Sequence, residues 1–214
     1  GNGLSLQVLD GQGGIDLTGT QGDTAVRVDG DLTLASVNVS LPADSTRGGI
    51  RTGALESFSG SVRLETVNGN IEVNGGSGIA IAGGDFVDVL AIGVGGGFAA
   101  GGVITINGHV TSDSSITLDA DGDGAFSGLS VLGDITGVGS VDLAAISGSL
   151  ETRNVTVTGS LNPESPDIGA LLSLSADSGE VQVSGNLKAT ADLAEATVSV
   201  FGATGVQIGT INPD

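Results

Sequence analysis

The sequence predicts an all-β fold, a right-handed parallel β-helix of about nine coils, and three observations carry that expectation. Short apolar alternations return from Ile15 to the end of the chain, separated by Gly, Asn or Asp. Glycine supplies 39 of the 214 residues without a collagen-like triplet, while the aromatic residues are five Phe and nothing else. Similar alternations recur about every 23–25 residues, from Ile116 to Val141, Val131 to Val155, Val157 to Val181 and Val183 to Val206. Strands repeating at such a period bury their apolar sides only by stacking into a solenoid. Abundant Gly then reads as turns, where positive φ carries no steric penalty.

The elements follow in order. Ile15-Asp16-Leu17, Val26-Arg27-Val28, Leu32-Thr33-Leu34 and Val37-Asn38-Val39 alternate with period two, as do Val62-Arg63-Leu64 and Ile71-Glu72-Val73. The series continues through Val103 to Ile106, Ile116 to Leu118, Val141 to Leu143, Val155 to Val157, Val181 to Val183 and Val206 to Ile208. Period two with β-branched residues argues strand. Leu187 to Glu195 is the best helical candidate, but it is short, uncapped and flanked by strands. Two Pro-containing segments, 41–57 and 161–169, read as insertion loops, because Pro donates nothing to a ladder. Gly75 to Gly102, rich in Gly and Ala, reads as the thinnest part of the coil or as apolar area for a partner. Phe58 and Phe86 lie 28 residues apart, as do Phe98 and Phe126, so stacked core Phe is the plain reading. The whole of 1–214 reads as one solenoid segment. Neither end looks like a cap, so further coils of a longer chain are expected on both sides. With rungs ~4.8 Å apart, nine make a rod of roughly 40 Å.

Charge and composition narrow the function. With 25 acidic residues against 6 basic and a net charge of −19, nucleic acid and anionic membrane are not expected partners. The absence of Cys fits the cytosol and the cell exterior alike, since a solenoid gains stability coil by coil. No apolar run reaches the ~20 residues of a membrane-spanning helix, so membrane insertion is not expected either.

The one motif with metal-ligand spacing is Asp119-Ala120-Asp121-Gly122-Asp123-Gly124. Alternate carboxylates before Gly match the opening of a calcium loop, but Ser130 stands where the bidentate Glu belongs. Asp119, Asp121 and Asp123 are thus candidate calcium ligands, with a solvated acidic turn as the other reading. For an enzyme, paired Asp with His, Lys or Arg is needed. The sole His, His109, sits beside an Asn-Gly turn with no basic residue close by, and the sole Lys is Lys188. No catalytic or cofactor-binding residue is therefore assigned, and an enzyme is not the expectation. Thr156 and Thr158 suit a ranked Thr surface such as binds ice, but no coil-after-coil recurrence is apparent.

The run Gly60-Ser61-Val62-Arg63-Leu64-Glu65-Thr66-Val67-Asn68-Gly69-Asn70-Ile71-Glu72-Val73, whose opening returns in Gly139-Ser140-Val141-Asp142-Leu143, resembles the shaft repeats of large bacterial exoproteins. The likeness is to filamentous-haemagglutinin-like adhesins of two-partner secretion, and next to autotransporter passengers. It spans nearly the whole chain but rests on degenerate repeats. It implies a secreted or cell-surface rod used in adhesion and biofilm cohesion, with polysaccharide or a cell-surface receptor as partner. A polysaccharide lyase or hydrolase on the same fold is the alternative, and a groove lined by convergent Asp and a basic residue would favour it.

Overall fold

A computed structural model describes residues 3–9, 14–18, 25–37, 49–93, 102–122, 128–159, 169–191 and 194–213. They form strands and turns, with no helix among them. The chain winds in rungs, each crossing three faces. The first rung is β1 (Leu4–Leu9), β2 (Ile15–Asp16) and β3 (Val26–Val28); the second is β4 (Leu32–Val37), β5 (Ile50–Thr52) and β6 (Leu55–Ser57). In the third and fourth, β7 (Val62–Val67) and β9 (Val87–Gly93) are followed by β8 (Ile71–Gly83) and β10 (Val103–Ser112), long strands that turn a corner and serve two faces. The fifth holds β11 (Ile116–Gly122), β12 (Gly128–Val131) and β13 (Ile135–Val138); the sixth holds β14 (Ser140–Ala145), β15 (Leu150–Thr152) and β16 (Val155–Thr158). The last two are β17 (Ala170–Ala176) with β18 (Glu180–Thr190), and β19 (Ala196–Gly202) with β20 (Gly205–Pro213).

Face one is an eight-stranded sheet in the order β1-β4-β7-β9-β11-β14-β17-β19, and its neighbours pair in parallel. Faces two and three belong to a second, twelve-stranded parallel system. The expected parallel β-helix is thus the fold. It has eight rungs among the described residues instead of about nine, or a stack of roughly 35 Å at the usual strand spacing.

Identical alternation in every strand puts like on like. On face one, Leu32, Val62, Val87, Ile116, Val141 and Leu172 form one inward column, and Leu34, Leu64, Val89, Leu118, Leu143 and Leu174 the next; all are buried. A third inward column is small throughout: Ser36, Thr66, Ala91, Ala120, Ala145 and Ala176. It stands toward the C-terminal ends of the face-one strands. Faces two and three carry Ile50, Ile71, Ile104, Leu129, Leu150, Val181 and Leu55, Ile81, Val110, Ile135, Val155, Leu187. Each such side chain removed from water is worth ~1.5–3 kcal/mol, an upper figure for a stack this narrow.

Several sequence expectations need correction. Ile116 and Val141 are indeed Cα partners, 25 residues apart. Val131, however, lies on face two and Val155 on face three; Val157 and Val181 are likewise on different faces, and Val183 partners Ile208, not Val206. Rungs also vary in length, 25 residues from Val62 to Val87 but 33 from Ile71 to Ile104. Of the expected insertions, 41–48 and 161–168 lie outside the described residues, while Ile50–Thr52 and Leu55–Ser57 are core strands with Arg51 and Glu56 facing outward. Leu187 to Thr190 is strand, not helix. Among the described residues, Phe is not stacked in the core. Phe58 and Phe201 are exposed and Phe86 is half-buried, because aliphatic columns already fill the narrow interior; Phe98 and Phe126 lie outside the described residues. The Asn-Gly turn at Asn68-Gly69 is as expected: Asn68 takes φ 59°, which Asn tolerates, and its N–H donates to the Ile92 carbonyl at 2.7 Å.

Candidate functional site

Two of the candidate metal ligands, Asp119 and Asp121, lie on a strand. Asp119 and Asp121 alternate with Ala120 and Gly122 in β11, so both point outward from face one while Ala120 is buried. The Asp-x-Asp spacing read as a calcium loop is here the alternation of a strand. Asp123 lies outside the described residues. Asp119 is flanked across the sheet by Leu90 and Ala144, which shield it, and its Oδ1 is buried without a hydrogen-bond partner. Burial holds its carboxyl above the ordinary range, and repulsion from Asp121, Asp142, Asp88 and Asp177 adds to the effect. Among the described residues, no group of three or more His, Cys, Asp or Glu side chains is placed to hold a metal ion.

His109 belongs to a corner ladder. Its Nδ1 accepts the Asp134 N–H at 3.0 Å, Asp134 Oδ1 accepts Asn154 Nδ2 at 2.8 Å, and Asn154 Oδ1 accepts the Asn186 N–H at 2.9 Å. These bonds tie successive rungs at a corner where the chain changes direction. Lys188 stands in another column, next to Thr156. That column corrects the reading of Thr: Thr111, Thr136 and Thr156 are successive partners on three rungs, and Thr158 partners Thr190.

Sequence spacing missed a cleft of about 240 Å³ on face one, lined by Asp31, Thr33, Ser61, Arg63, Asp85 and Phe86. Stacking brings these residues together. Thr33 and Arg63 are outward partners on β4 and β7, and Ser61 and Asp31 precede the same strands. The Ser61 N–H donates to Asp31 Oδ1 at 2.9 Å, and the Ser61 hydroxyl makes a long 3.4 Å bond to Asp85 Oδ2. Arg63 lies with its guanidinium 5.5 Å from the centre of the Phe86 ring and its Nε 3.2 Å from Asp88 Oδ2. The only forward signal in the sequence was the outward place of Arg63 in a strand. The register that delivers Asp31 and Phe86 to it cannot be read from residue spacing.

Comparison with family models, with curated proteins and with solved structures finds no match to this chain.

Proposed function

We propose that this chain is a structural and adhesive segment of a bacterial extracellular exoprotein, supporting surface attachment or biofilm cohesion. The observation that carries the reading is the in-register parallel stack, whose buried inward columns are continuous from rung to rung. Such a body is stiff along its axis and presents side chains at fixed intervals, which suits spanning a distance and displaying contacts. Its net charge of −19 keeps copies apart in solution and disfavours anionic partners. Neutral polysaccharide or a cell-surface receptor then fits best as partner.

The test is retention under flow. Beads coated with the protein, passed over a biofilm-forming bacterial layer, are expected to be held several-fold better than beads coated with an unrelated protein of equal charge. Equal retention would overturn the reading.

One observation favours the second reading, a polysaccharide-processing enzyme: the cleft brings Asp31 and Asp85 to the same place as Arg63. Arg63 is engaged by Asp88, however, and Asp31 by the Ser61 N–H, so their polar atoms serve structure first. Incubation with neutral glucans is expected to release no new reducing ends and no unsaturated products; release of either would favour the enzyme.

A further inference from the structure

We propose that the cleft bounded by Asp31, Ser61, Arg63, Asp85 and Phe86 binds one neutral pyranose residue of a polysaccharide, an inference that rests on the adhesive reading. Size is the first argument. About 240 Å³ lies below the ~300–1,000 Å³ of pockets for drug-sized ligands and suits a single sugar ring.

Chemistry is the second argument. A pyranose offers vicinal hydroxyl donors, ring and hydroxyl oxygens as acceptors, and an apolar C–H face. Asp31 and Asp85 are exposed carboxylates that accept from hydroxyls, and each keeps an oxygen without a protein donor in the bonds that hold it to Ser61. Arg63 has donors beyond the Nε given to Asp88, and the half-buried Phe86 provides the apolar wall.

Charge selects among ligands. Asp31, Asp85 and Asp88 outnumber Arg63, and the whole chain carries −19, so uronates and sulfated sugars are repelled. A small cation would meet the Arg63 guanidinium that lines the cleft. A neutral ring meets neither obstacle.

The cleft is also set in advance. Asp31 is fixed by the Ser61 N–H, and Asp85 by its own N–H donating to the Gly60 carbonyl at 3.0 Å. Gly60 makes that possible: a Cβ there would stand 2.6 Å from the Asp31 nitrogen, so only Gly lets the two rungs approach. Little ordering then remains to be done when a sugar arrives.

The experiment follows the backbone amides of isotopically labelled protein by NMR during titration with methyl β-D-glucopyranoside, methyl α-D-mannopyranoside and methyl β-D-galactopyranoside. Sodium glucuronate and ethylenediamine serve as the anionic and cationic controls. At least one glycoside is expected to shift the amides of Ser61, Arg63, Asp85 and Phe86 saturably, with weak affinity. Asp85→Asn, at an exposed site that leaves the core alone, is expected to weaken that binding about tenfold, and Phe86→Ala similarly. The proposal falls if none of the glycosides moves these amides, if both variants bind unchanged, or if either control acts as well as the sugars. Should the glycosides fail while coated beads are still retained, the cleft assignment falls alone. Should they bind while retention fails, the adhesive reading falls and the site stands.

Discussion

Val62 and Leu64 of β7 and Val198 and Val200 of β19 occupy the same two inward columns of face one, in the same alternating pattern. The first pair is fully buried, whereas the second is only partly covered, and Leu6 at the opposite end is 37% exposed. Nothing in the local sequence separates them; the number of neighbouring rungs does. In a stacked fold an apolar side chain gains its environment from the rung above and the rung below, so stability is a nearest-neighbour sum that fades at the ends.

The largest expected effect tests that difference directly. Leu118→Ala, in the middle of its column, is expected to cost about 3–4 kcal/mol in denaturant unfolding, and Val200→Ala about 1 kcal/mol or less. Equal losses would break the nearest-neighbour account. Next comes a buried hydroxyl. Thr152 is inward on face two beside Val183, and its Oγ1 finds no partner. Thr152→Val keeps the shape and removes the stranded group, so a gain of about 1 kcal/mol is expected; a loss would mean that the hydroxyl is satisfied after all.

Smaller still is the effect of Asp119. Its folded pKa stands above the ordinary 3.8, so between those values the folded chain holds more protons than the unfolded one. Stability therefore falls as pH rises through the folded value and stays lowered above it. Asp119→Asn is expected to raise the melting temperature at pH 7 and to change it little at pH 3; a loss at pH 7 would show the carboxylate to be satisfied in its charged form. The smallest effect belongs to the exposed pair Arg51–Glu72, 3.0 Å apart. Arg51→Ala is expected to cost no more than about 0.5 kcal/mol, and less in high salt.

Strand positions were legible because alternation is a local property, as Val62-Arg63-Leu64 and Val155-Thr156-Val157 illustrate. Register was not, because strands on all three faces use the same aliphatic alternation. Val131 resembles Val155 by composition, yet the two stand on different faces. The acidic motif is ambiguous for a related reason. Asp119 and Asp121 have the spacing of calcium ligands, and that spacing is also the period of β11, in which Leu118 and Ala120 are buried. The cleft was invisible because Asp31, Arg63 and Phe86 meet only through a stack of unequal rungs.

The hydrogen bonds between rungs run along the axis, whereas the chain itself runs across it. Tension applied along that axis therefore loads one rung's bonds at a time, as a peeling seam does. Each 25-residue rung, such as Val62 to Val87, would pay out roughly 85 Å of chain in exchange for ~4.8 Å of stacked height. Force-extension of the molecule held by its ends is expected to show a series of such releases, and one abrupt release of the whole length would contradict it. A body that is rigid at rest would thus act under strain as a reel, lengthening by steps and dissipating work at each one.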